Sequence, residues 1–258
     1  MLWPMHFPDT DWLVPDWPAP PTVRAVCTTR NAGVSQGPFS SMNLGLHVGD
    51  SVERVLQNRQ LLAARLGAQP VVLDLVHKTD ILTLQPDSPD GSRADGVVTQ
   101  ASGVACTIMV ADCLPILLCN TSGTQVAAVH AGWRGLVGQG GQGVIESVVH
   151  AMEPSPMLAW LGPCIGPKAF EVGDEVRAAF VADCAAARAA FHPLGGGKWL
   201  ADLPMLARQR LSALGVDRVY GNDGSAAWCT VSNPSKFFSH RRDAGVSGRQ
   251  AACIWRVD

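Results

Sequence analysis

Residues 103–136, GVACTIMVADCLPILLCNTSGTQVAAVHAGWRGL, hold three near-continuous apolar runs separated by short polar breaks. Short apolar runs bounded by turn residues are strands buried on both faces, and each face needs a covering layer. The stretches GVACTIMVADC, PILLCN and QVAAVHAG are therefore expected as strands, with TSGT as the turn between the last two. Such runs require an α/β (α+β) chain whose mixed sheet is sandwiched by helices. Periodicity leaves the strand order open.

The remaining pattern supplies those helices. SVERVLQNRQLLAARLG has Val52, Val55, Leu56, Leu61 and Leu62 near helical spacing, Asp50 or Ser51 as N-cap and Gly67 as stop. Further helices are expected in VIESVVHAM after the glycine-rich LVGQGGQG, in the alanine-rich GDEVRAAFVADCAAARAAF, and in LADLPMLARQRLSALGV between Asp202 and Gly215. Further strands are expected over residues 23–29, in PVVLDLVH ending at His77, over residues 81–84, and in GVVTQ, MLAWL, DRVYGN and RQAACIWRV. There is no internal repeat and no low-complexity linker, so residues 1–258 read as one catalytic domain, with 1–20 a poorly patterned N-terminal extension. The net charge of −2 lacks the basic stripe of a nucleic-acid binder. The opening MLWPMHFPDTDWLVPDWPAP has no signal-peptide pattern, and no apolar window reaches membrane-spanning length. The expectation is a soluble cytoplasmic protein that neither binds nucleic acid nor enters a membrane.

Eight cysteines lie mostly inside apolar runs, as small buried hydrophobes rather than a disulfide framework. Cys113 differs. It stands with His77 and His130 at or near expected strand ends, where neighbouring strands bring side chains into one cleft. Two imidazoles and a thiolate suit zinc, and three protein ligands leave a fourth position for water. The same residues also suit a cysteine nucleophile activated by histidine. Spacing alone leaves both open. Arg30, Arg134, Arg241 and Arg242 offer planar forks for an anion, or pair with surface acids such as Asp95 or Asp243. Phe170 offers a stacking surface, or else fills the core. The glycine-rich segment before VIESVV lacks the P-loop Lys-Ser/Thr, and the zinc-deaminase pattern H-x-E with P-C-x-x-C is absent.

In order along the chain, TTRNAGVS, SMNLG, VHKTD, RADGVVT, ADCLPILL, VAAVHAGWRGL, LGPCIGPKAFEVG and FFSHRRDAGVSGRQAACIW resemble the YfiH-like laccase-domain family. Its members were first described as polyphenol oxidases and are now regarded as purine nucleoside phosphorylases. The resemblance runs from about residue 20 to the end. It implies an α/β fold related to cysteine-hydrolase-like bacterial toxins. It implies zinc, or copper for an oxidase, on His77, Cys113 and His130, which are also the catalytic residues. It implies phosphorolysis of adenosine, inosine, guanosine and methylthioadenosine, with adenosine deamination as a companion. On that reading the partners are a small nucleoside and phosphate, and the protein is a monomer or small homo-oligomer. Arg30 and Arg134 then meet the anion, Asn43 a ribose or phosphate oxygen, and Phe170 the base, while Asp80 or Asp112 orients a ligand histidine. Three alternatives stand beside it: an amidase that edits the peptidoglycan precursor UDP-MurNAc-L-Ser, a polyphenol oxidase, and a metal-dependent scaffold without turnover. The chain departs from the family pattern at Leu75, at Lys78 and in the long LVGQGGQG connection, which bear on pocket shape and leave the three ligands untouched.

Overall fold

The computed structural model describes residues 10–258, so residues 1–9 of the expected N-terminal extension lie outside the described residues. The first half contains β1 (Val23–Cys27), α1 (Val52–Leu66), β2 (Gln69–Val72), β3 (Ile81–Thr83), β4 (Gly96–Thr99), β5 (Val104–Val110), β6 (Leu114–Asn120) and β7 (Val126–Ala131). Then come α2 (Trp133–Val137), α3 (Val144–Ala151), β8 (Met157–Leu161), β9 (Glu171–Gly173) and α4 (Asp174–Asp183). The chain closes with β10 (Phe191–Gly195), β11 (Lys198–Ala201), α5 (Leu203–Ala213), β12 (Val219–Gly221) and β13 (Gln250–Arg256).

The expected mixed α/β class holds, with the strands partitioned among three sheets. One has the order β1-β13-β5-β2, a second β12-β8-β6-β7-β4-β3, and a small third β10-β11-β9. Both large sheets are mixed: β2 runs parallel to β5 and β13 antiparallel to it, while β3–β4 and β12–β8 are parallel pairs beside the antiparallel β6–β7. The two large sheets pack on each other through Ile108, Val110 and Ile254 from one and Leu117, Ala128 and Trp160 from the other. Ile116, Leu118 and Val129 on the outer face of the six-stranded sheet meet Ile145 and Val148 of α3, Phe180 of α4 and Leu206 of α5. Met109, Cys253 and Trp255 on the outer face of the four-stranded sheet meet Leu62 and Leu66 of α1. Every position of β5, β6 and β7 is buried because each sheet is covered by a sheet on one side and by helices on the other. Each fully buried Leu or Ile contributes about 1.5–3 kcal/mol.

Local chemistry sets the element ends. Ser51 caps α1 by accepting from the Arg54 amide, and Gly67 ends it in the left-handed conformation at φ 61°. The buried face of α1 includes Asn58, whose amide donates to the Ser41 and Asn43 carbonyls and so ties the loop after β1 to the helix. Arg210 of α5 reaches Glu146 of α3 at 2.8 Å and Asp183 of α4 at 2.5 Å, linking three helices on one layer. No helix among the described residues is long and apolar enough to cross a membrane.

Three expectations change. The strand expected to end at His77 stops at Val72, and residues 73–80 form a loop. The alanine-rich helix breaks at Cys184, continues as a 3-10 turn over Ala185–Ala190 and returns as β10. Helix propensity loses there because Ala187, Ala190 and Phe191 are buried in the core, with Phe191 5.9 Å from the Phe180 ring. The glycine-rich connection is preceded by an unanticipated helix, α2.

Candidate metal centre

Cys113 lies where the chain leaves β5 in one sheet and enters β6 in the other. Only Ala111, Asp112 and Cys113 span that crossing, and Asp112 takes a left-handed φ of 89° to make it. His130 is on β7, two residues from Ala128, so its side chain is directed to the inter-sheet face. His77 sits on loop 73–80 with a φ of 59°. These positions bring one ligand atom from each of the three residues to within 4.8 Å of the others. The two imidazoles meet edge to face, with centroids 4.7 Å apart at 89°. His130 is buried, Cys113 half-buried and His77 exposed, so the cluster opens to solvent on the His77 side.

Asp95 organises this arrangement. It is fully buried just before β4, and its neighbour Gly96 pairs with Val129 beside His130. Its Oδ1 lies 2.9 Å from His130 Nδ1, leaving Nε2 for Cys113. The His77 amide donates to Oδ1 at 2.8 Å, and the Lys78 and Val76 amides donate to Oδ2 at 2.6 and 3.3 Å. One carboxylate thus orients one ligand and holds the loop that carries another. The orienting acid is neither of the two anticipated: Asp80 offers its backbone carbonyl to the Asp95 and Gly96 amides, and the Asp112 carboxylate accepts from the Thr230 hydroxyl and the Arg241 amide. Nor does Asp95 pair with an arginine. Its only signal in the sequence is an acid directly before a buried strand.

The electrostatics couple the same groups. Burial alone raises the Cys113 thiol pKa, but His130 and His77 outweigh it and bring the pKa down to about 6. Burial likewise disfavours the His130 cation, and Cys113 with Asp95 reverses this to raise it to about 9. Each group thus favours the charged form of the other. Five other cysteines (27, 106, 119, 164 and 253) are shifted upward by burial and behave as core.

The donor set suits zinc, and also copper. A carboxylate on the far nitrogen of a ligand histidine is the usual support of metal-bound imidazole. Gly132 adds a geometric test. A Cβ there stands 3.1 Å from Cys113 Sγ, 3.3 Å from His77 Cδ2 and 3.5 Å from His130 Cε1, so any side chain fills the space among the ligands. Gly135, one turn on, has the Lys78 carbonyl 2.7 Å from its missing Cβ, which packs α2 against the His77 loop.

The remaining anticipated residues are placed as follows. Arg30 donates to the Ser40 and Pro234 carbonyls and lies over the Phe238 ring. Asn43 is fully buried, donating to Gly45 and Asp50 and accepting from Gly45 and Arg249. Arg134 is exposed on α2 with its guanidinium over Trp133, immediately beyond Gly132. Phe170 is a buried core aromatic with Arg241 over its ring. Arg242 is engaged by Asp243 and the Thr230 and Phe237 carbonyls.

A family model described as multi-copper polyphenol oxidoreductase laccase matches residues 24–257. A Pseudomonas aeruginosa protein named purine nucleoside phosphorylase is 50% identical over 250 residues, 96% of this chain and 99% of its own length. The Escherichia coli protein named purine nucleoside phosphorylase YfiH is 47% identical over 249 residues, 95% and 98% of the two chains. The crystal structure of Neisseria meningitidis protein NMB0706 superposes with a TM-score of 0.88 at 45% identity, over 96% of this chain and 100% of that one.

Proposed function

The chain belongs to the YfiH-like laccase-domain family, and on that premise we propose that it is a zinc-dependent purine nucleoside phosphorylase acting in the cytoplasm. Inorganic phosphate displaces the purine at ribose C1′: the C1′–N9 bond breaks, a C1′–O bond forms, and the base leaves with a proton. Adenosine, inosine, guanosine and methylthioadenosine are the substrates. Adenosine deamination, with water adding at C6 and ammonia leaving, accompanies it. The observation that carries the reading is the His77–Cys113–His130 cluster, open on the His77 side, with Gly132 packed against all three residues. The names of the full-length relatives support the substrate class.

Bound to these three residues, zinc supplies Lewis-acid polarisation and a water of lowered pKa. Asp95 fixes His130 in one tautomer and holds the His77 loop. Gly132 keeps the space among the three residues free of a side chain. Arg134, on the helix that starts there, meets the phosphate. Phosphorolysis needs orientation and charge stabilisation more than a protein nucleophile. The buried, engaged Asn43 and Phe170 act by shaping the surrounding loops. A polyphenol oxidase of the multi-copper type needs several ligand sets, and one three-ligand group occurs among the described residues.

The test is zinc-loaded protein with adenosine, with and without phosphate, products resolved by chromatography. Adenine and ribose 1-phosphate that appear only with phosphate support the reading, and inosine reports the deamination. If neither product forms, the reading is overturned, and serine released from UDP-MurNAc-L-Ser then identifies the amidase.

A further inference from the structure

We propose that Arg249 is the anchor for the phosphate co-substrate, gripping it beside the three-ligand cluster with the half of its guanidinium that the protein leaves without a partner. The inference rests on the phosphorylase reading. Arg249 directly precedes β13, whose Gln250 pairs with Val110, three residues before Cys113. Burial lowers the pKa of its guanidinium, and Cys113 and Asp112 are the groups that raise it electrostatically. The side chain is held before any ligand arrives. Its amide donates to Asn43 Oδ1 at 2.9 Å, and its stem lies over Gly45, where a Cβ meets Arg249 Cγ at 2.8 Å. Nη1 donates to the Ser247 and Gly248 carbonyls at 2.8 and 3.0 Å. Nε and Nη2 have no protein acceptor among the described residues. A half-buried, rigid fork with free donors is what bidentate oxyanion recognition needs. The other arginines of this region are placed differently: Arg242 has all three nitrogens engaged by Asp243 and two carbonyls, Arg30 has Nε and Nη1 engaged, and Arg134 is exposed over Trp133, where it meets the phosphate from the solvent side without a rigid seat. Asn43 thus serves the anion indirectly, by positioning Arg249.

The zinc-loaded enzyme and its Arg249→Gln and Arg249→Lys variants test this by steady-state kinetics in phosphate and by phosphorus-31 NMR line broadening with inorganic phosphate alone. Loss of one charged fork raises the phosphate KM of Arg249→Gln about 10- to 100-fold. The adenosine KM moves far less, and Arg249→Lys recovers part of the loss. Zinc content and thermal midpoint are measured on each variant, and Arg249→Lys carries the test if the glutamine variant misfolds. An unchanged phosphate KM at full zinc content overturns the inference. So does wild-type protein that neither uses nor binds phosphate. Phosphate binding that depends on Arg249, without ribose 1-phosphate formation, upholds the anchor and overturns the phosphorylase reading alone.

Discussion

Asp95 accepts from the Val76, His77 and Lys78 amides and from His130, so replacing one oxygen by an amide NH2 sets donor against donor. Asp95→Asn is expected to cost about 1–3 kcal/mol of stability. It is also expected to weaken zinc binding about 10- to 100-fold, read by chelator competition and by the cobalt spectrum of the substituted site. The acid dependence has a defined sign. Burial acts to raise the Asp95 pKa, but His130 and the loop amides lower it overall. Its contribution is therefore present above an unfolded value of about 4 and lost as pH falls through the folded one. The zinc-free unfolding curves of wild type and Asp95→Asn should approach each other below about pH 4; a constant gap there refutes this role. Cys113 is set by the same balance, with burial raising its pKa and the two histidines lowering it overall. In zinc-free protein its iodoacetamide rate should rise through about pH 6 and plateau, ahead of the buried cysteines, and zinc should suppress it. The His77–Cys113–His130 cluster was legible in the sequence because the family motifs carry all three residues, although the strand expected to end at His77 stops at Val72. Asp95 was not, because an acid before a strand acquires its meaning only when loop 76–78 folds back onto it.

Helix α2 shows how packing overrides propensity. Gly135 lies inside it, and by propensity alone Gly135→Ala stabilises a helix by about 1 kcal/mol. Here the added methyl meets the Lys78 carbonyl at 2.7 Å, a backbone atom that cannot rotate away. The expected outcome is displacement of the His77 loop, with zinc affinity and turnover falling while circular dichroism stays native. A variant with wild-type zinc affinity counts against the coupling of α2 to that loop. The same contrast separates legible elements from illegible ones. α1 was readable because cap, apolar stripe and terminal glycine all agree. The 184–190 segment was not, since its alanines favour helix while burial of Phe191 draws the chain into β10. His77 was expected on a strand because PVVLDLVH is mostly apolar; Gln69–Val72 pairs along β5, and beyond it only an isolated bridge from Asp74 to Arg93 forms among the described residues.

Across the whole molecule, the three residues of the candidate metal cluster mark the seam between the two large sheets. β2 belongs to the four-stranded sheet and β3 to the six-stranded one, and His77 lies on the passage between them. β5 and β6 are divided in the same way, with Cys113 on their passage, and His130 is directed to the inter-sheet face from β7. Apolar runs foretold strands buried on both faces but not the partition into two sheets, because a sheet and a helix layer bury a run equally well. The partition has a thermodynamic consequence. An ion held by all three residues binds the native chain and not the separated segments, so it stabilises by mass action. At free zinc about 100 times its Kd, the gain is about 2.7 kcal/mol. For a chain of this size that corresponds to an increase of about 5 to 10 °C in thermal midpoint. Cys113→Ala removes one of three ligands and should abolish most of the shift, while Cys184→Ala, at an exposed cysteine outside the cluster, should keep it. Calorimetry of the three proteins, each stripped with chelator and then titrated with zinc, decides the matter. A zinc-dependent increase that survives in Cys113→Ala places the ion elsewhere, and the seam then holds by apolar packing alone.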